Sequence, residues 1–296
     1  WANANRRSWK GDEGRLKSIE RFFGAKRLSE ISPFLIERFK VERRNTKIER
    51  PGSKSPAKPR SVASVNRELS LLSRIFSIAV TNKEALTNPC RDVKHIPGEQ
   101  PRTRYLLPEE EQRLMNILAR KPAYLSRVVT LALNTGMRRG ELLRLKWDQI
   151  DFFRDEIKVT HTKNGKDHVV PMNTTIRAML WAMKEEEGAA SAFVFRSPRS
   201  RPHLKDIKKG FNAALKKAGI EDFHFHDLRH TFGTMAADAG VEITSIAEVM
   251  GHADIHTTRR YSHATDQGRR RAVEAIERHF NSPVTNRTQR AVGDGA

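Results

Sequence analysis

The sequence predicts a predominantly α-helical chain of two domains, with one small β-sheet in the second. Its 296 residues exceed the usual size of a single domain. Apolar residues recur at steps of three and four along most of its length, the helical period. The clearest strand-like signal lies where EIKVTHTK and KDHVVPM flank Asn164-Gly165, a dipeptide suited to a tight hairpin because both turn positions need positive φ.

Composition narrows the partner. Lys and Arg number 55 against 35 Asp and Glu, a formal net charge of +20, and the isoelectric point is near 10.5. A polyanion is expected, and nucleic acid fits better than a membrane surface, since the sequence shows neither a basic amphipathic helix nor an apolar span of about 20 residues. The single cysteine, Cys90, rules out an internal disulfide and a cysteine-based zinc cluster, and fits a reducing, cytoplasmic setting. The opening WANANRRSWKG lacks the apolar core of a signal peptide. It also lacks Met, which suggests a fragment of a longer chain.

Taken in order, the first 60 residues carry 17 Lys or Arg and 7 Asp or Glu, half the net charge in a fifth of the length. Within them Leu16, Ile19, Phe22 and Phe23 keep helical spacing, and Ile31 to Phe39 repeats it after Ser32-Pro33, a capping pair with proline in the first turn. Residues 43–60, rich in Pro, Ser and Lys, read as a flexible basic loop. From Ser61, Val62, Val65, Leu69, Leu72, Ile75, Phe76 and Ala79 share one face of a long helix. Between Asn88-Pro89 and Pro108, Pro97, Gly98 and Pro101 mark an interdomain linker, so the domains are expected at 1–100 and 101–280, with a disordered tail at 281–296. The second domain opens with helices at PEEEQRLMNILA and LSRVVTLALNTG, passes through the hairpin, and returns to helix at 174–187, 204–218, 227–239, 243–250 and 269–280.

Four segments of the second domain hold groups suited to phosphate chemistry: TGMRRGEL, THTKNGK, HDLRH and GHADIHTTRRY. Each alone has an ordinary reading. TGMRRGEL suits a glycine-capped helix end with solvated arginines, and Lys163 a solvated hairpin charge. His226 and Arg229, three apart on one helix face, suit surface or capping positions as well as a shared anion.

Their order is more informative. Thr135-Gly136-Met137-Arg138 with Glu141 and Leu142, a lysine 25 residues past that arginine, then His226-x-x-Arg229, then Gly251-His252 and Tyr261 nine later, resembles the tyrosine recombinase or phage-integrase family. The likeness spans the second domain, and VNRELSLLSRIFSIAV followed by Asn-Pro is similar to the family's helical core-binding domain. The resemblance implies a two-domain DNA clamp. It makes Tyr261 the nucleophile, Arg138 and Arg229 the phosphate clamp, Lys163 the general acid, and His226 and His252 a hydrogen-bonding and proton-transfer pair. It implies site-specific cleavage and rejoining of double-stranded DNA through a 3′-phosphotyrosine, with no metal, ATP or other cofactor. It further implies a homotetramer on paired sites, a possible directionality factor, and integration or excision of a mobile element.

The chemistry agrees with these residue types. A phenol with pKa near 10 needs cations and a hydrogen-bond acceptor to attack at neutral pH. Guanidinium forks bind the non-bridging oxygens that gain charge, and the leaving 5′ oxygen needs a proton donor such as a lysine. Arg139, Arg259 and Arg260 read as phosphate or surface contacts, Glu141 as an orienting group, and His230 as structural; His256 and His263 take no role. Val273, Ile276 and Phe280 make a stripe on the last helix that suits either a neighbouring protomer or its own domain. Rival readings are a type IB topoisomerase-like nickase, a DNA-binding factor with a decayed site, and a zinc hydrolase built on His226 and His230. The last lacks the required glutamate, having Asp227 instead, and a distinct third ligand.

Overall fold

The computed structural model describes residues 9–48, 58–98, 102–160, 167–187, 191–197 and 203–261, with the isolated positions 274 and 277. The chain is mostly helical and divides into two compact units, Trp1–Pro101 and Arg102–Ala296.

In the first unit α1 (Trp9–Phe23) and α2 (Pro33–Asn45) pack on the long α3 (Val62–Thr81). Serines start two of these helices. Ser32 Oγ accepts the Leu35 N–H at 3.3 Å and Ser61 Oγ the Ser64 N–H at 3.2 Å, satisfying donors that a helix N-terminus leaves open. The apolar stripes meet in one core of Ile19, Phe23, Ile36, Phe39, Leu72 and Phe76. Phe22, Phe23 and Phe39 stack there in edge-on and tilted pairs. Leu16, expected on the buried face of α1, is exposed. The segment after α3 folds back on the unit. Asn66 Nδ2 donates to the Ile96 carbonyl at 3.0 Å while its Oδ1 accepts the Ile96 N–H at 2.9 Å, and Asn88 donates to the Ser73 carbonyl.

The loop expected over residues 43–60 is corrected at both ends. Arg43 and Arg44 belong to α2, and β1 (Lys47–Ile48) pairs antiparallel with β2 (Lys58–Pro59). Arg43 is buried. Its Nε and Nη2 donate to the two carboxylate oxygens of Glu68 at 2.7 and 2.8 Å, and Nη2 also reaches Ser18 Oγ at 3.0 Å. A fork-on-carboxylate pair satisfies both charges inside the core, which composition alone gave no reason to expect.

The second unit begins with a strap. Arg102 Nε donates to both oxygens of buried Asp227, at 2.9 and 2.8 Å, and the Leu106 N–H donates to Thr231 Oγ1 at 3.0 Å. Then follow α4 (Pro108–Leu118), α5 (Ala123–Thr135) and the short α6 (Arg139–Leu143). Glu110, three residues into α4, accepts the Leu107 N–H and a fork from Arg104; the Arg104 bond above all holds its carboxyl below the usual range. A three-stranded antiparallel sheet comes next, in the order β3 (Ile150–Asp151), β4 (Glu156–Val159), β5 (His168–Pro171). Register pairs Val159 with His168 at its far end. Strand β3 was not expected, and residues 161–166, including the Asn164-Gly165 tip, lie outside the described residues. The helices α7 (Thr174–Glu187), α8 (Lys208–Lys217), α9 (Asp227–Asp238) and α10 (Ile243–Met250) complete the unit. The expected last helix falls almost wholly outside the described residues. A continuous core of Leu125, Leu131, Met137, Ile157, Val170, Leu180 and Phe211 joins helices and sheet, each such side chain contributing about 1.5–3 kcal/mol by its burial.

Two measurements test the first unit. Glu68→Ala leaves Arg43 buried without its carboxylate, so urea unfolding should show a loss on the order of 3 kcal/mol, with Glu68→Gln losing less. Burial raises the Cys90 thiol to about 11. A raised thiol pKa means less thiolate, so alkylation at pH 8 should run a few hundredfold slower on the native protein than on the denatured chain, whose thiol has an ordinary pKa of about 8.5. The native rate should keep climbing roughly tenfold per pH unit above that; equal rates at pH 8 would contradict the burial.

Candidate active site

Helix α5 ends at Gly136, whose φ of +60° turns the chain sharply into α6. Arg138 stands at the entry of α6. Its backbone N–H donates to Glu141 Oε2 at 2.9 Å and its Nη1 to Glu141 Oε1 at 3.0 Å, so the acid fixes both main chain and guanidinium. Its Nη2 donates to the Gly251 carbonyl at 2.9 Å. Two of its five N–H groups thereby position the fork.

Helix α9 supplies the second guanidinium. Arg229 is 3% exposed; Nη1 donates to the Gly136 carbonyl and Nη2 to the Met250 carbonyl, both at 2.7 Å. Adjacent carbonyls, Met250 and Gly251, therefore receive one arginine each. They close the C-terminus of α10, where the helix dipole favours cations. Gly251 itself has φ of +63°, and a Cβ there would lie 2.6 Å from the His168 ring, so both backbone and packing require glycine.

Beyond this turn, His252 Nδ1 lies 2.7 Å from the hydroxyl of fully buried Thr258, and the Thr258 carbonyl accepts the Tyr261 N–H at 2.9 Å. Tyr261 is 5% exposed, packed with Ile246 and Met250. Its hydroxyl lies 3.0 Å from His230 Nδ1. His226, exposed at the start of α9, meets the His230 ring edge-on with centroids 5.2 Å apart.

Of the six residues singled out from the sequence, Arg138, Arg229 and His252 are joined through the Met250–His252 turn. Tyr261 follows on the next turn, and His226 adjoins through His230. Lys163 lies outside the described residues, as do His263 and the Arg260 side chain. Arg139 is half exposed and 3.8 Å from Asp206, and Arg259 and His256 are exposed on the surface. Asp227 belongs to the strap with Arg102, so in this structure it does not face an open site.

Two histidines were passed over. His230 read as structural, yet it bonds the tyrosine hydroxyl. His168, first in β5, had no motif to mark it. Among the described residues neither of its buried ring nitrogens meets a hydrogen-bond partner. Burial holds its imidazole below the ordinary pKa, opposed by Glu141 and reinforced by Arg138 and Arg229.

The chain matches the phage integrase family over residues 104–268. It is 31% identical over 240 residues to the integrase of Salmonella phage P22, covering 77% of this chain and 61% of that protein. It is 34% identical over 208 residues to a shufflon-specific DNA recombinase of Escherichia coli, covering 70% and 52%. The chain thus spans less than two thirds of the length of either. With the tyrosine recombinase XerA of Pyrococcus furiosus it shares 30% over 228 residues, 75% of this chain and 77% of the other. Among solved structures, the Tn1549 transposon integrase with a circular intermediate DNA superposes with a TM-score of 0.71 at 18% identity, covering 90% of this chain and 93% of that one. A lambda integrase dimer on a core site gives 0.69 at 20%, covering 86% and 90%. These structural likenesses establish the shared fold, and from the sequence matches this chain belongs to the phage integrase family.

Proposed function

We propose that the chain is a site-specific DNA recombinase of the integrase type, cutting and rejoining double-stranded DNA through a covalent 3′-phosphotyrosine at Tyr261. The observation that carries this reading is the pair of guanidiniums, Arg138 and Arg229, held on adjacent carbonyls of the turn that leads to His252 and Tyr261. Such a fork pair suits the non-bridging oxygens of one phosphate.

In the proposed step the Tyr261 oxygen bonds to phosphorus as the bond from phosphorus to the 5′ oxygen breaks. Lys163 delivers a proton to that 5′ oxygen, and the phenol gives up its proton to a base of the site. His226 and His252 hydrogen-bond the reacting phosphate and serve the proton transfers. Attack by a 5′ hydroxyl of another strand reverses the step and joins DNA without ATP. The net charge of +20 supports a DNA partner. Lambda integrase has been seen as a dimer on a core site and as a tetramer on a Holliday junction; assembly of this chain as a tetramer on paired sites is proposed by analogy, as is a role in integrating or excising a mobile element.

The test is a suicide duplex, nicked beside the scissile phosphate so that the leaving fragment diffuses away, with the site taken from DNA flanking the gene. Wild type should give a denaturant-stable protein–DNA adduct in EDTA, and Tyr261→Phe none. An adduct in the Phe variant would reassign the nucleophile; no adduct on bound DNA would favour a binding protein without catalysis. Binding should also weaken by about a thousandfold between roughly 50 and 200 mM salt, as many phosphate contacts release counterions, and a change under about tenfold would argue against a DNA clamp.

A further inference from the structure

Tyr261 is a phenol shut away from solvent. At 5% exposure, against Ile246, Met250 and the partly buried Phe232 and Ala236, its side chain is nearly enclosed, and its hydroxyl meets a histidine rather than standing out in open solvent. Attack on phosphorus nevertheless requires that proton to leave, because the neutral phenol is a weak nucleophile. A base within hydrogen-bond reach is needed, and His230 Nδ1 stands at 3.0 Å.

The seat of the tyrosine is built for that contact. Its ring lies on α9 over Gly233, where a Cβ would come within 2.7 Å of Cζ and Cε2, so only glycine admits the ring. His230 is one helical turn before Gly233, which places its imidazole on the same side of α9 as the tyrosine. His230 is itself 5% exposed, and the edge of the His226 ring meets it at 82°. The histidines and the tyrosine thus form a contiguous row, with His226 at the exposed end.

We propose that His230 is a catalytic residue of this site: its Nδ1 accepts the Tyr261 proton as the phenol oxygen attacks phosphorus. The inference rests on the reading of Tyr261 as nucleophile. Before attack His230 carries its proton on Nε2, leaving Nδ1 as acceptor. During attack the bond from Tyr261 oxygen to phosphorus forms, its O–H bond breaks, and the proton moves to Nδ1, giving an imidazolium beside His226. The leaving 5′ oxygen takes its proton from elsewhere, from Lys163 on the reading above. In the reverse reaction His230 returns the proton to the departing phenolate, so each round leaves the histidine neutral.

The experiment compares His230→Phe, which keeps a ring but no acceptor, and His230→Gln, which keeps an acceptor but is not a base. Each is made with the natural tyrosine at 261 and with 3,5-difluorotyrosine there, a more acidic phenol that needs less help to ionise. Adduct formation on the suicide duplex is timed near pH 7.5, and duplex binding is measured beside it. With the natural phenol both variants should cleave about 100-fold more slowly than wild type while binding DNA equally well; with the fluorinated phenol the deficit should shrink to within about tenfold. A deficit of the same size with both phenols would make His230 a packing residue, and a Gln variant as fast as wild type would make it only a hydrogen-bond partner; either overturns the proposal. Should the Phe variant fail to bind DNA, the Gln variant on the two phenols decides alone. An adduct formed by Tyr261→Phe would instead bring down the nucleophile assignment, and the His230 step with it.

Discussion

The second unit is organised by the hydrogen bonds that Arg138 and Arg229 make to the last carbonyls of α10. A helix C-terminus leaves carbonyls without intrahelical partners and carries partial negative charge. Here two cations meet adjacent carbonyls, Met250 and Gly251, so helix end and guanidiniums stabilise one another. The arrangement tethers α6, α9 and α10 to a single turn. Everything downstream inherits its placement: His252 is the next residue, and Thr258 ties it to the turn that begins Tyr261.

Burying Arg229 nearly completely would be costly if it met only apolar neighbours. The carbonyls of Gly136 and Met250 offset that cost, and the surroundings of α9 keep the helix from shifting. Its first turn is held by the Arg102–Asp227 fork and by the Leu106–Thr231 bond, both reaching across more than 120 residues of sequence. Its middle is fitted to α5 and to the tyrosine through Phe232 against Gly136 and Gly233 against Tyr261. Helix α9 is therefore both a core element and the rail on which Arg229 and His230 ride. In the first unit Arg43 is likewise buried with its charge met, there by the carboxylate of Glu68.

What was legible in the sequence follows from the range of the forces involved. The helices of both units are set by local periodicity and caps, and Ser32, Ser61 and Gly136 mark ends that the structure keeps. Strand β3 was hidden because two residues, Ile150 and Asp151, carry no alternation; only pairing with β4 makes them a strand. Arg43 was misread because its neighbours are Pro, Ser and Lys rich, while its partner Glu68 is 25 residues away. The order of Arg138, His226, Arg229, His252 and Tyr261 was readable as a pattern of residue types. The contacts of His230 with Tyr261 and of His168 with Gly251 were not, since they arise from packing between elements rather than from spacing within one.

The turn from His252 to Tyr261 holds two groups of the proposed site in one frame. The Thr258 hydroxyl meets His252 Nδ1, and its carbonyl accepts the Tyr261 N–H. One buried residue therefore fixes the orientation of an imidazole and the backbone of the phenol together. A displacement of the tyrosine would strain the histidine contact, and displacement of the histidine would strain the tyrosine. Under the proposed reaction, cleavage and rejoining pass through the same transition state from opposite sides, so the groups that stabilise it serve both. A rigid turn that keeps the imidazole and the phenol in one frame is then useful twice, first when the phenol attacks and again when it leaves.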